Sequence, residues 1–284
     1  MKYFTGTIAL LALTTSSALA AQHSAATGYA LSAEGNTLLV MDSLATPEQV
    51  RSVPLSSSVR SIAWRPVTGE LLGYGDGTIV TIDTMTGMTT DLGATFSDDA
   101  VIAGDAVVAF DFNNAIDAVR AVSSTGDNLV YFPVGFGDND ERANSVRRFT
   151  DLFYADGDAS EGETPQVFAN AYTNAINGMT AEATFQYALD AQTDSLISLA
   201  NNAGTLETIA EITVDGQPVD ILPVGGFDIV SQEVGTDAAY AVLQIAGQDT
   251  AGIYQLDLET GAASLIAPLG TGDVTSFAAS IGAM

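Results

Sequence analysis

The sequence contains no cysteine and only one lysine, Lys2, in 284 residues. Without thiols, the chain has no disulfide, no cysteine nucleophile and no thiolate metal site. Without a lysine beyond residue 2, it can form neither a Schiff base nor a phosphate-binding P-loop. The chemistries that remain open are carboxylate chemistry, calcium binding and recognition without catalysis.

Histidine is almost as scarce, because His23 is the only one in the chain. It lies in a Ser/Ala/Thr-rich segment near the N-terminus, where chain ends commonly fray. A Ser-His-Asp triad and a metal site built from several histidines are therefore excluded.

Basic residues are also few, with eight Lys and Arg against 35 Asp and Glu, which gives a formal net charge of −27. A chain of this charge repels nucleic acids and anionic membrane surfaces, so we expect neither as a partner. The acidic excess is compatible with cation binding or with solubility in a salty medium. Because the acids are spread over the predicted loops, the second interpretation is favoured.

No hydrophobic run is long enough for a membrane span of roughly 20 residues. The apolar stretch Thr5–Leu13 follows Lys2 and precedes the small-residue ending Ala18–Ala20. This layout is typical of a secretory signal peptide. We therefore expect residues 1–20 to be removed and the mature protein to be periplasmic or secreted.

The remaining chain predicts a flexible N-terminus over residues 21–27 and a single domain over residues 28–284. Within it, two segments are close copies, Thr78–Gly87 and Gly252–Gly261. Each has alternating apolar residues followed by an Asp-x-x-Thr-Gly turn, a pattern that predicts a β-hairpin. The turn residues are expected to be structural.

Further strands precede each copy and recur along the chain as groups of about four. The first strands of four such groups are Ser61–Arg65, Ala109–Asn113, Asn170–Asn174 and Gly226–Val230. They begin about 50 to 60 residues apart, near the roughly 40 to 50 residues of a propeller blade. A fifth group is divided between three strands at residues 28–53 and one at Val274–Ala279.

The sequence thus predicts an all-β fold: a β-propeller of five blades with four antiparallel strands each. The C-terminal strand is expected to pair with the N-terminal blade and close the ring, which hides exposed sheet edges. A β-sandwich or an irregular ring of six or seven blades is the alternative. Residues 135–165 depart from the repeat and are interpreted as a functional insertion that lengthens the third blade.

Several motifs resemble a known family of bacterial exported proteins, domain of unknown function 4394. They include Gly28–Leu31, Ile62–Gly69, Phe110–Asn113 and Tyr154–Pro165 and cover nearly the whole mature chain in the family's order. This chain has Asn114 where the family usually has proline. The resemblance implies an exported, propeller-like protein without an assigned activity, and it supplies no catalytic residues.

Alternation along the first strands places polar side chains on one face, which in a propeller would surround the central axis. The candidates are Arg65, Asp111, Asn113, Asn174 and Asp228. They could form a ligand pocket, or Asp111 and Asp228 could hydrolyse glycosidic bonds if they faced each other roughly 5 to 10 Å apart. The favoured interpretation is that these two carboxylates bond to the backbone and to Arg65 between blades, with no catalytic residue.

One loop has the oxygen spacing of a calcium site. The candidate ligands are Asp156, Asp158, Ser160 and Glu163. The loop lacks the glycine at the sixth position and the distant glutamate of an EF-hand, so a solvated acidic loop is the alternative. No other cofactor is expected. Trp64, the only tryptophan, is expected to lie in the core.

Taken together, the sequence predicts an exported acidic β-propeller that acts as a non-catalytic binding or interaction module for an unidentified ligand or protein. One alternative is a carboxylate-based glycoside hydrolase of extracellular polysaccharide. Another is a calcium-stabilised surface or matrix protein.

Overall fold

The computed structural model of the protein describes residues 26–32, 34–272 and 274–282. Within these ranges the chain forms 24 β-strands and one 3-10 turn at Asn201–Ala203. The predicted signal peptide and residues 21–25 of the predicted flexible terminus lie outside the described residues. The first strand begins at Ala26, two residues before the boundary predicted from the sequence.

The strands form five separate sheets, which we number as blades 1 to 5 and describe from the inner strand outward. Blade 1 contains β24 (Val274–Ile281), β1 (Ala26–Ser32), β2 (Thr37–Met41) and β3 (Val50–Pro54). Blade 2 contains β4 (Ser61–Arg65), β5 (Glu70–Gly75), β6 (Thr78–Ile82) and β7 (Thr89–Asp91).

The other three blades carry one or two extra strands at their outer edges. Blade 3 contains β9 (Val108–Asn113), β10 (Ala118–Ser123), β11 (Asn128–Phe132), β12 (Ser145–Arg148) and β8 (Thr95–Phe96). Blade 4 contains β14 (Val167–Tyr172), β15 (Gln186–Asp190), β16 (Ser195–Leu199), β17 (Thr205–Glu211) and β13 (Phe153–Tyr154). Blade 5 contains β20 (Ile221–Ser231), β21 (Asp237–Ile245), β22 (Gly252–Leu256), β23 (Ala262–Pro268), β18 (Thr213–Val214) and β19 (Gln217–Pro218).

The two ends of the described chain meet in blade 1, where β24 pairs antiparallel with β1 from Ala26↔Ile281 to Leu31↔Ser276. This confirms the predicted five-bladed propeller and its closure. The prediction of four strands per blade holds for blades 1 and 2. In blades 3, 4 and 5, the connection from the preceding blade adds a short parallel strand that covers the outer edge.

The sequence predicted a single insertion over residues 135–165, and this prediction is wrong. These residues contain β12, the fourth strand of blade 3, and β13, which pairs with β17 at the edge of blade 4. The prediction missed β12 because its sequence, Ser-Val-Arg-Arg, has a single apolar residue.

The core lies between adjacent blades, where apolar faces of neighbouring sheets pack together. Tyr29 of blade 1 stacks on Trp64 of blade 2 with ring centroids 5.5 Å apart. Tyr74 of blade 2 meets Phe110 of blade 3 edge to face at 5.8 Å. Trp64 is therefore partly buried between two blades, in agreement with the expectation that it is a core residue.

The copied turns are structural, as predicted. In the first, the Asp83 carboxylate accepts hydrogen bonds from the backbone N–H groups of Met85 and Thr86, both at 2.9 Å. Gly87 follows with a φ of 73°, and a Cβ there would lie 1.9 Å from the carbonyl oxygen of Pro54. Glycine is thus required for both its conformation and its small size.

The described strands and turn include no helix that is long and apolar enough to cross a membrane.

Candidate functional site

The five inner strands β24, β4, β9, β14 and β20 surround the central axis, and each contacts its two neighbours. Their inner edges carry backbone groups that need partners away from water. The Asp111 carboxylate on β9 accepts a hydrogen bond from the Tyr172 N–H on β14 at 2.8 Å. The Asp228 carboxylate on β20 accepts one from the Ala279 N–H on β24 at 2.6 Å. These two carboxylates therefore join blade 3 to blade 4 and blade 5 to blade 1.

A serine that the sequence analysis missed makes a similar connection between blades 1 and 2. The Ser276 hydroxyl on β24 accepts a hydrogen bond from the Ile62 N–H at 3.0 Å and lies 2.9 Å from the Ser61 hydroxyl. The sequence gives little signal for it, because Ser276 is one of three hydroxyl residues in β24.

Asp111 and Asp228 are 5 % and 4 % exposed, and both line one narrow cavity near the axis. Trp64, Ala175 and Asn177 line it as well. The volume open to the centre of a water molecule in this cavity is about 10 Å³. The cavity therefore has room for roughly one water. The pair therefore lies in a narrow cavity with room for little more than one water, and not in an open pocket.

The electrostatics of this pair follow from burial. Burial raises the pKa of Asp111 well above its usual range, and the nearby charge of Asp228 raises it further. Burial also raises the pKa of Asp228 to about 7, against the opposing effect of hydrogen bonds from the Ala279 and Ile229 N–H groups. None of the ion pairs among the described residues involves either carboxylate. Burial and the charge of the first carboxylate thus both oppose ionisation of the second.

Arg65 points away from this pair. Its guanidinium forms a bidentate ion pair with Asp117 of blade 3, with Nε–Oδ1 and Nη2–Oδ2 distances of 2.8 and 2.5 Å. A weaker contact at 3.4 Å reaches Glu70. Arg65 therefore joins blades 2 and 3, but its partner is Asp117 and not Asp111 or Asp228.

Asn113 and Asn174 stabilise turns at the end of the inner strands. The Asn113 Oδ1 atom accepts hydrogen bonds from the Ala115 N–H and the Thr184 hydroxyl, both at 3.0 Å. The Asn174 Oδ1 atom accepts one from the Gly235 N–H at 2.9 Å, and Asn174 has a φ of 58°. Neither amide lines the cavity of the two carboxylates.

The loop over residues 173–185, between β14 and β15, closes this end of the axis. It leaves blade 4 and reaches blade 2, where the Gly178 N–H donates to the Pro66 carbonyl at 2.9 Å. On blade 3, the buried Asn114 donates through Nδ2 to the carbonyls of Asn174 and Met179 at 2.8 and 3.2 Å. Because its residues Ala175 and Asn177 line the cavity, we call residues 173–185 the axial lid.

A groove with a volume of about 660 Å³ lies at the opposite end of the axis, where β24, β4 and β9 begin. We call it the acidic groove. Its charged and hydroxyl side chains are Glu34, Ser57, Ser58, Arg60, Asp76, Thr78, Thr89, Asp91, Asp105 and Thr275. Arg60 is bound to Asp76 at 2.9 Å and to the carbonyls of Ala103 and Ala106. The exposed carboxylates therefore dominate the charge of the groove.

The residues predicted as calcium ligands lie in a loop beside β17. The Asp158 carboxylate accepts hydrogen bonds from the Ser160 N–H at 2.8 Å and from the Thr208 N–H and hydroxyl at 2.7 Å. Burial raises the pKa of Asp158, but these hydrogen bonds outweigh it and lower the pKa overall. Asp156 and Glu163 are exposed. The described part of the chain has no group of three or more acidic or histidine side chains that could hold a metal, and calcium binding stays a prediction.

Comparison with solved structures finds proteins of low sequence identity. A protein of unknown function from Bacteroides caccae aligns with 90 % of this chain and 99 % of its own, at 9 % identity and a TM-score of 0.42. A protein from Lactobacillus plantarum gives the same coverage at 10 % identity and a TM-score of 0.42. A protein of unknown function from Bacteroides thetaiotaomicron aligns with 81 % of this chain and 55 % of its own, at 13 % identity and a TM-score of 0.42.

No protein with a curated description matches this chain. The sequence profile of a family described as domain of unknown function, DUF4394, matches residues 36–278, from the turn before β2 into the closing strand β24. The match includes four of the five inner strands in full and β24 as far as residue 278, together with Asp111, Asp228 and the axial lid. The protein belongs to the DUF4394 family.

Proposed function

We propose that this protein is an exported, non-catalytic recognition domain that binds a polar ligand in the acidic groove. The observation that carries this proposal is the groove itself, an open volume at one end of the axis lined by hydroxyls and carboxylates. Concave sites at the ends of rigid β scaffolds commonly bind ligands, with a few polar groups that fix orientation.

The charge of the groove favours neutral or cationic ligands. Glu34, Asp91 and Asp105 are exposed, whereas Arg60 donates to Asp76 and to backbone carbonyls. An anionic ligand would meet uncompensated like charge, while hydroxyl or ammonium groups find acceptors. Polyhydroxylated and amine-bearing molecules are therefore the expected classes.

A non-catalytic role is favoured over hydrolysis by the environment of the carboxyl pair. Glycoside hydrolysis needs two carboxyl groups on either side of a bound sugar. Here the cavity has room for about one water, and both carboxylates hold backbone N–H groups of neighbouring blades. A sugar could enter only if the axial lid moved away.

Export is supported by the signal-peptide layout of residues 1–20 and by the strong acidic excess, which suits a soluble protein in a salty medium.

The proposal is tested by thermal unfolding with panels of neutral oligosaccharides, polyamines and anionic oligosaccharides, since a ligand selective for the native state raises its melting temperature. We expect a rise with a neutral or amine-bearing compound. The double variant Asp91→Asn/Asp105→Asn should lose it. Asp98→Asn, an exposed acid outside the groove, is the matched control and should keep it. A rise that survives the double variant, or no rise with any compound, contradicts the proposal.

A further inference from the structure

The axial lid and the carboxyl pair form one unit. The lid residues Ala175 and Asn177 line the same cavity as Asp111 and Asp228. Both carboxyl groups are almost completely buried. Two negative charges that line one low-dielectric cavity are costly unless a proton, a cation or water compensates them.

We infer that the axial lid is a proton-controlled closure, which stays shut while Asp111 and Asp228 hold a proton between them and opens when both carboxyls ionise. The inference concerns the end of the axis opposite the acidic groove and does not depend on the function proposed for the groove.

The lid is the part of the cavity wall that is most easily displaced. The inner strands are held by continuous antiparallel pairing, such as the six residue pairs between β9 and β10. The lid contains no strand and is held by separate hydrogen bonds. The Gly178 N–H donates to Pro66 and the Ala181 N–H to Asn114, at 2.9 and 3.0 Å. The Asn114 amide donates back to the lid, and the Asn174 N–H donates to Asp237. Segments without continuous strand pairing open at lower free energy than paired strands. Ionisation of the pair therefore acts first on the lid.

Other charged and titratable groups near the pair lie on β10, β14 and β21. Arg120 on β10 is the cross-strand neighbour of Asp111, but its guanidinium donates to the Tyr172 hydroxyl at 2.9 Å and to side chains of blade 3 and the 3-10 turn. Burial raises the pKa of Tyr172 to about 12. Tyr240 on β21 is the neighbour of Asp228, and burial raises its pKa as well. Neither tyrosine ionises between pH 5 and 8.5.

The remaining surrounding elements contain no group that replaces the pair. Strand β24 has no titratable side chain, and the lid has only Glu182, which is exposed. On β4, Arg65 is bound to Asp117. In the turn after β20, Glu233 is exposed and Asp237 accepts hydrogen bonds from the lid and from Ser231. The carboxyl pair is therefore the group in this cavity that changes charge near neutral pH.

The test is hydrogen exchange of the lid in the full-length mature protein at pH 5 and pH 8.5, expressed as protection factors to remove the intrinsic pH dependence of exchange. We expect the protection of the Gly178 and Ala181 amides to fall at least about tenfold at pH 8.5, the factor that one pKa unit carries. Amides of β5 and β6 should keep their protection. Trp64 lines the cavity, so acrylamide should quench the fluorescence of this only tryptophan more strongly at pH 8.5.

Asp111→Asn is the diagnostic variant. The asparagine carbonyl still accepts from the Tyr172 N–H, and the cavity then holds at most one negative charge, that of Asp228. Lid protection should then be equal at both pH values, while the Asp98→Asn control behaves like wild type. Equal protection at both pH values in wild type overturns the inference. So does the same fall in Asp111→Asn, or a fall that extends equally to β5 and β6. If Asp111→Asn does not fold, the wild-type comparison of lid with β5 and β6 still decides the question.

Discussion

Gly226 on β20 packs directly against the backbone of Phe277 on β24, so that a Cβ at residue 226 would lie 2.2 Å from the Phe277 nitrogen. This contact lies at the ring closure, where blade 5 meets blade 1. It stands beside the hydrogen bond from the Ala279 N–H to Asp228. The position of the closing strand thus depends on the lack of a side chain at Gly226 as well as on the Asp228 carboxylate.

Gly226→Ala is therefore expected to lower the free energy of unfolding by about 3 kcal/mol or more, because backbone on the facing strand cannot move aside without loss of strand pairing. Denaturant unfolding measures the change. Gly104→Ala is the matched control, since a Cβ there meets no atom within 4 Å, and it should stay within about 0.5 kcal/mol of wild type. Equal stability of the two variants would mean that blades 5 and 1 are not packed this closely.

The inner strands could be predicted because their composition and alternation are strong and recur at blade spacing. The closure by Val274–Ala279 followed from the missing fourth strand of the N-terminal group. The partner of Arg65 could not be predicted. Arg65 is the last residue of β4, opposite Glu70, and from there it reaches the turn of blade 3 that contains Asp117. Position along the strand, which alternation does not specify, decides this pairing.

The axial lid escaped the sequence analysis for a different reason. Residues 173–185 have no periodic pattern, and their role depends on where Pro66 and Asn114 lie in space. Asn114 was noted only as a departure from the family's usual proline. In the structure its side chain holds the lid by two hydrogen bonds. A contact between residues about 60 positions apart leaves no mark in a single sequence.

Stability should depend on pH through the carboxyl pair, with a definite sign. Both pKa values are raised in the folded state, so the folded protein binds these protons more tightly than the unfolded chain does. The pair's contribution to stability is present below pH 4 and is lost as the pH rises, and for Asp228 this loss extends to about pH 7. A pKa of about 7 in place of 3.8 for Asp228 corresponds to a contribution of at most about 4 kcal/mol to the free energy of unfolding.

The measurement is the difference in unfolding free energy between Asp111→Asn and wild type across pH 4 to 8. The difference removes the opposite effect of carboxylates whose pKa is lowered, such as Asp140. We expect the variant to gain stability relative to wild type as the pH rises above about 4, because only wild type has the raised pKa of Asp111. A difference that does not vary with pH would show that the pair is not protonated in the folded protein.

Asp156 and Asp158 lie in the same loop, but only Asp158 forms hydrogen bonds that stabilise the fold. Asp158 holds three donors from Ser160 and Thr208, whereas Asp156 is exposed. Asp158→Ala should therefore cost about 1 to 3 kcal/mol with or without calcium, because three partly buried donors lose their acceptor. Asp156→Ala should cost less than about 0.5 kcal/mol in the presence of a chelator. Thermal unfolding of both variants and of wild type, with chelator and with calcium, makes the comparison.

Calcium binding by this loop predicts a further and different result. Wild type would then melt at a higher temperature with calcium than with chelator, because a ligand of the native state stabilises it. Asp156→Ala would lose that rise although it leaves the chelated protein unchanged. If neither calcium nor Asp156→Ala alters the melting temperature while Asp158→Ala lowers it in both solutions, the every-second-residue acidic spacing reflects a hydrogen-bonded turn that ties the loop to β17.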